Sequence, residues 1–147
     1  MATTNWYGLA HKDQWGAGTA VSWTGDTIKT ALTTNSYSPN QDSDEFFTTP
    51  VAFEITAGSG YTARGVSLGS RSLNYASAAN EAQLLAANAV WSSATFTAYY
   101  AVVYKDTGTN GTSTLLGYVS FGAAQAVSSG TFTIQWDATG VLKVVAA

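Results

Sequence analysis

The stretch Ala94-Thr95-Phe96-Thr97-Ala98-Tyr99-Tyr100-Ala101-Val102-Val103-Tyr104 decides the fold class of this chain. Its first half alternates, and its second half is a continuous apolar run. Alternation is typical of a β-strand with one buried face, whereas a continuous apolar run is typical of a strand covered on both faces. We therefore predict a central β-strand over these eleven residues.

Shorter strand-like segments lie on both sides of this stretch, with polar or glycine-containing turns between them. The predicted strands are Thr27–Thr33, an irregular Arg64–Gly69, Ser72–Tyr75, Glu81–Leu85, Leu115–Phe121, Thr131–Trp136 and Val141–Val145. Gly122–Gly130 is rich in small residues and is predicted to be a connection. Asp137–Gly140 is predicted to be a tight turn that pairs the last strand with the one before it. This spacing predicts an all-β fold, an antiparallel β-sandwich or barrel-like domain.

The chain is predicted to contain one β domain, residues 27–147, preceded by an irregular N-terminal arm, residues 1–26. A length of 147 residues suits a single domain. The arm carries four large aromatic side chains without clear periodicity: Trp6, Tyr7, Trp15 and Trp23. Aromatics in such a segment often pack across a neighbouring surface. We expect removal of the arm to leave the β domain folded.

Charged residues make up only 10% of the chain, against about 25% in an ordinary domain. Disorder does not explain this, because the chain is 46% hydrophobic and 13% aromatic. The composition favours a surface that a partner or further copies of the chain cover in the working state. The alternative is a neutral surface rich in Thr, Ser and Asn.

Several function classes are disfavoured by the same composition. The six basic residues are scattered, and nucleic-acid binding needs a dense basic patch, so no nucleic-acid partner is expected. No stretch approaches the roughly 20 apolar residues of a membrane span, so no membrane association is expected. The N-terminus also lacks the pattern of a secretory signal. The chain has 0 Cys, which excludes disulfides, thiolate metal sites and cysteine nucleophiles.

The sequence offers little material for catalysis. Its only histidine, His11, lies in the arm, and a single His does not build the usual base–nucleophile or multi-histidine zinc site. We therefore predict that the chain is not an enzyme and has neither a cofactor nor a metal site. Two alternatives stay open: paired carboxylates of a small glycosidase, and a cation at the oxygen-rich loop Asn40–Glu45.

Four stretches resemble a family of small virion proteins of tailed bacteriophages. They begin Asp26-Thr27-Ile28-Lys29, Glu54-Ile55, Trp91-Ser92-Ser93-Ala94 and Gly130-Thr131-Phe132-Thr133, and they extend to residues 42, 68, 104 and 142. The family comprises minor capsid, capsid decoration and head-fibre-like proteins. The resemblance covers most of the chain from Asp26 onward, and its motifs are turn and strand patterns rather than catalytic signatures.

The resemblance implies a structural virion protein that decorates the outer surface of a phage head and stabilises it. It implies binding to the major capsid protein, a homo-oligomer with a trimer favoured, and a location on the capsid exterior after assembly in the host cytoplasm. We expect Trp6, Tyr7, Trp15 and Trp23 to contact the capsid or a sister subunit.

The alternative function is a receptor- or carbohydrate-binding module on a tail tip or head fibre. Ring faces stack on sugars, and the candidate platform residues are Trp6, Trp15, Trp23 and Trp91.

Overall fold

The computed structural model describes residues 1–16 and 20–146, and these form eight strands and one short helix. The elements are β1 (Asn5–Trp6), α1 (Gly8–Gln14), β2 (Ile28–Thr33), β3 (Val66–Ser67), β4 (Ser72–Ala76), β5 (Glu81–Leu85), β6 (Ala89–Lys105), β7 (Leu115–Ile134) and β8 (Leu142–Val145). Single 3₁₀ turns span Pro50–Phe53 and Asn110–Thr112. The prediction of an all-β fold is confirmed.

The larger sheet has the strand order β1-β7-β6-β2-β3, and its neighbouring strands are antiparallel. The predicted central strand is confirmed, since β6 lies between β7 and β2. Residues 101–104 of β6 are fully buried. Their register places Val102 opposite Ala31 of β2 and Tyr118 of β7. The continuous apolar run thus exists because this half of β6 is covered on both faces.

The predicted connection Gly122–Gly130 is wrong, because these residues belong to β7 and four of them pair with β6. Gln125 pairs with Ala98, and Val127 with Phe96. Pairing with a neighbouring strand can keep residues of low β-propensity in an extended conformation. Propensity alone does not predict such pairing. Irregular register between residues 120 and 125, with Gly122 at φ +73°, bends β7. The rings of Phe121 and Phe132, both in β7, consequently lie 6.0 Å apart.

The smaller sheet has the order β4-β5-β8. The predicted arms 72–75 and 81–85 are confirmed as a hairpin. The predicted pairing of the last strand with residues 131–136 is wrong, because β8 pairs with β5 instead. The turn Asp137–Gly140 does form, but the chain then continues into the smaller sheet. Hydrogen bonds on both sides of the turn hold it there. Trp136 Nε1 donates to Ala87 O (3.1 Å) and Val141 N donates to Leu84 O (2.8 Å). Two separate antiparallel sheets make the fold sandwich-like rather than a closed barrel.

The N-terminal arm is more ordered than predicted. β1 pairs with β7, and α1 follows it, with Gly8 N donating to Gln41 O (2.9 Å). Tyr7 is fully buried, and its hydroxyl lies 2.6 Å from that of Tyr37. Residues 17–19 of the arm lie outside the described residues. Since the arm supplies core residues, the structure argues against the expectation that the β domain folds without it.

Candidate functional site

Three tryptophans of the N-terminal arm lie around one cleft between the arm and the smaller sheet. Trp6, Trp15 and Trp23 line it from the arm. Leu73 of β4, Leu84 of β5 and Val144 of β8 line it from the sheet. The volume of the cleft is about 320 Å³. We call these six residues and the space between them the tryptophan cleft.

The three tryptophans occupy different depths of the cleft. Trp23 is buried, and its Nε1 donates to Leu85 O (2.9 Å). Trp6 is half-buried, and its Nε1 donates to Lys143 O of β8 (2.8 Å). Trp15, directly after α1, is 90% exposed. The cleft therefore has a fixed floor and, at its rim, one large aromatic side chain that the described residues leave exposed.

The polar groups around the cleft are largely engaged within the chain. Besides the two indole N–H groups, the side-chain amide of Gln14 both donates to Val21 O and accepts from Val21 N, at 3.2 Å each. The ring of His11 packs against Trp6, with the ring centroids 4.7 Å apart. A molecule entering the cleft would consequently find mainly apolar and aromatic contacts.

The apolar surface continues from the cleft onto one face of the smaller sheet. Leu73 is 60% exposed, and Tyr75, two residues further along β4 on the same face, is 58% exposed. Val144 of β8 is 44% exposed. Neighbouring large apolar side chains left in water at a concave site mark an interaction surface more often than isolated ones do. Sequence analysis missed Leu73 and Val144, although the alternation within their short strands was visible.

The sequence-predicted interface residues divide into two pairs. Trp15 and part of Trp6 are exposed, whereas Tyr7 and Trp23 are buried. The suggestion that Trp91 belongs to an exposed sugar-binding platform is wrong. Trp91 is 2% exposed and packs in the core against Phe96 and Phe132, with ring centroids 6.4 and 5.8 Å away.

Two of the ion pairs that the described residues form lie elsewhere, where the loop between β6 and β7 meets β2 and the 62–65 turn. The Arg64 guanidinium contacts Asp106, Asn110 and Ser113. Lys29 Nζ lies 2.8 Å from Asp106 Oδ2. Although burial alone would raise it, hydrogen bonds from Arg64 and Lys29 hold the pKa of Asp106 well below its ordinary value. We call these five residues the hairpin-loop network.

Glu54 lies beside this network and is also hydrogen-bonded. Its Oε1 accepts from the Tyr61 hydroxyl (2.6 Å) and from Arg64 N (2.5 Å). Burial raises the pKa of Glu54, while these two hydrogen bonds oppose the rise. Tyr61 in turn accepts from Leu32 N (3.0 Å). The carboxylate therefore ties the 61–64 turn to β2, which is a structural role.

The one pair of contacting carboxyl groups that we find among the described residues is Asp13 with Glu45. Lys12 Nζ lies 2.7 Å from Glu45 Oε1 and 3.4 Å from Asp13 Oδ1. Burial and the neighbouring Glu45 raise the pKa of Asp13, and the hydrogen bond from Lys12 lowers that of Glu45. Neither carboxyl group lines the tryptophan cleft. The pair joins α1 to the 40–45 loop.

One acidic side chain of the oxygen-rich loop Asn40–Glu45 lies inside the protein. Asp44 is buried and accepts from the Tyr37 hydroxyl (2.9 Å) and Asn40 N (3.0 Å). Across residues 1–16 and 20–146, no group of three or more His, Asp or Glu side chains is placed to hold a metal ion. Within the same residues, no helix is long and apolar enough to cross a membrane.

Comparison of the chain with protein-family models, with curated proteins and with solved structures finds no match.

Proposed function

We propose that this chain is a structural protein that docks on another protein through the tryptophan cleft, as a capsid decoration protein on the outer surface of a phage head. The observation that carries the proposal is the cleft itself, an apolar concavity with the 90% exposed Trp15 at its rim. Tryptophan is among the residues that contribute most to binding at protein interfaces. Apolar side chains of a partner are the natural occupants of such a site.

The distribution of charge supports the same proposal. Residues 82–104 and 107–136, which include all of β7 and all of β6 except Lys105, contain no charged residue. Interface cores are depleted of charged residues, so a protein packed among neighbours on a lattice can have such a surface. The resemblance to small phage virion proteins agrees with this role, with the major capsid protein as the partner.

The experiment that tests the proposal is a measurement of copy number and location in virions of the phage that encodes the chain. Quantitative mass spectrometry of purified virions gives the ratio of this chain to the major capsid protein. Immunogold electron microscopy then gives its position. We expect copies in proportion to the capsid lattice, on the head. Absence from virions would overturn the proposal.

A second candidate function is carbohydrate binding by a module at a tail tip or head fibre. The exposed ring of Trp15 favours it, since a free aromatic face can stack on a sugar. Against it, the indole N–H groups of Trp6 and Trp23 and the amide of Gln14 are already bonded within the chain, and sugar binding needs several free polar groups. A few copies at the tail, together with binding on a glycan array, would favour this second function over decoration.

A further inference from the structure

Strand β4 is an unprotected edge of the smaller sheet. Among the described residues its only strand neighbour is β5, so the outer side of its backbone faces no other strand. Ser72, Leu73, Asn74 and Tyr75 are all exposed. The register with β5 is continuous over the five residues and has no bulge. Proteins normally protect such an edge with charges, proline or bulges, because a free edge pairs with other strands.

No charge protects this edge. The strand Ser72-Leu73-Asn74-Tyr75-Ala76 contains no charged residue. The guanidinium of Arg71, just before it, donates to Trp23 O (2.7 Å) and Asp26 O (2.6 Å). Glu81, opposite Ala76 in β5, lies 2.9 Å from Lys143 Nζ. The nearest charges are therefore engaged within the chain rather than directed at an approaching strand.

The side chains of β4 are similar in kind when the strand is followed in either direction from Asn74. If two copies pair antiparallel about a two-fold axis at Asn74, Leu73 of each copy lies opposite Tyr75 of the other. Asn74 then lies opposite Asn74, and Ser72 opposite Ala76. Pairs of aromatic and aliphatic side chains stabilise adjacent strands, and like charges directly opposite destabilise them. This register gives the favourable pairs and contains no like-charge pair.

We infer that β4 is a homotypic interface, at which a second copy of this chain adds its β4 to form one continuous six-stranded sheet. The two-fold axis passes through Asn74, and the interface is isologous. The exposed side chains of Leu73 and Tyr75 pack against their counterparts on one face of the joined sheet. The interface shares Leu73 with the tryptophan cleft. It specifies a dimer rather than the trimer expected from the resemblance.

The interface is small, so the dimer is concentration-dependent. Stable interfaces generally bury more than about 1,000 Å², and five residues a side contribute less than that. We expect sedimentation velocity of the wild-type chain, from low micromolar to near millimolar concentration, to show monomer and dimer in exchange.

The sharpest test uses a single introduced cysteine, because the chain has 0 Cys of its own. At the two-fold axis, Asn74→Cys faces its own copy across an antiparallel pair. The Cα separation in such a pair, about 4.5–5.5 Å, suits a disulfide. We expect mild oxidation to convert Asn74→Cys to a covalent dimer. The matched control Ser67→Cys, on the exposed edge strand β3, should give at least about tenfold less dimer.

Charge reversal supplies a second, independent test. Asn74→Lys and Asn74→Asp should each raise the dissociation constant of the dimer by about tenfold or more, because each places like charges together at the axis. A mixture of the two should restore dimer. Both variants lose the Asn74–Gln83 hydrogen bond (2.9 Å), so circular dichroism must first show that they are folded.

Three results would overturn the inference. The first is a wild-type chain that stays monomeric at every concentration, and the second is a wild-type trimer. The third is a dimer that is not weakened by either charged variant and is not cross-linked through Asn74→Cys. If the charged variants fail to fold, the cysteine pair decides the question. Failure here leaves the capsid proposal unaffected, since that proposal is tested by location in the virion.

Discussion

The side chains of the hairpin-loop network are polar and bonded within the chain, whereas much of the tryptophan cleft is apolar and exposed. In the network, Arg64 and Lys29 both contact Asp106, and Arg64 is also hydrogen-bonded to the surrounding loop. In the cleft, the polar groups are bonded to backbone, and the apolar groups of Trp15, Leu73 and Val144 remain exposed. The network uses polar chemistry to hold the fold together, and the cleft leaves apolar surface available.

This difference separates side chains that stabilise the fold from side chains that are available for binding. A cluster of acids and bases usually attracts attention as a catalytic centre, yet here each member of the network has a structural partner. The Arg64 side chain also lies over the rings of Phe47 and Tyr104, at 5.3 and 5.9 Å from their centroids. The large side chains that the tryptophan cleft leaves exposed are apolar, and exposed apolar surface is suited to binding.

The largest expected effect concerns the floor of the cleft. Trp23→Ala should lower the free energy of unfolding by about 3–5 kcal/mol, because it removes a buried indole and leaves a cavity. Urea denaturation measures the loss. A loss below about 1 kcal/mol would show that the cleft floor is not part of the core.

The next effect concerns the network. Arg64→Met should lower the free energy of unfolding by about 2–4 kcal/mol, since it leaves the carboxylate of Asp106 with fewer partners in a mostly buried site. The matched control is Lys12→Met, which removes an exposed ammonium group from Glu45 and Asp13 and should lower the free energy of unfolding by clearly less than Arg64→Met does. Equal losses in urea denaturation would contradict the difference between a structural network and a surface pair.

A pH dependence follows from the lowered pKa of Asp106. Its folded pKa lies below the unfolded value of about 3.9, so its ionic contribution is complete above that value and is lost as pH falls further. Urea denaturation at a series of acid pH values should show this loss. Asp106→Asn should be less stable at neutral pH and should have a shallower acid decline. An unchanged acid decline in the variant would exclude Asp106 as its cause.

The smallest expected effect on stability concerns the rim of the cleft. Trp15→Ala should change the free energy of unfolding by less than about 0.5 kcal/mol, because the side chain is 90% exposed. Iodide quenching of tryptophan fluorescence should fall in the variant, since the most accessible indole is gone. A large loss of stability would mean that Trp15 packs on the chain and is not available to a partner.

The parts of the fold that could be predicted from sequence are those in which the apolar pattern of the residues matches the burial of the strand. The central strand and the hairpin arms 72–75 and 81–85 are such cases. The pairing of residues 125–130 and of β8 could not be predicted, because it depends on which strand lies alongside. Local propensity contains no information about that neighbour.

The candidate site was predictable only in part. The four arm aromatics were identified as a group, but the sequence did not separate the exposed Trp15 from the buried Tyr7 and Trp23. Their depth depends on the packing of α1 and on distant acceptors such as Leu85 O. Leu73 and Val144 were missed because they come from a second sheet that is brought to the arm by tertiary contacts.

The central claim is that the open cleft is a docking surface, and binding of purified chain to phage heads that lack it tests this most directly. Co-sedimentation should show that Trp15→Ala binds at least about tenfold more weakly than wild type, the loss typical of a tryptophan hot spot. Val145→Ser is the control, since it removes a 56% exposed apolar side chain from the other face of β8. It should bind like wild type. Equal binding by Trp15→Ala and wild type would contradict the claim.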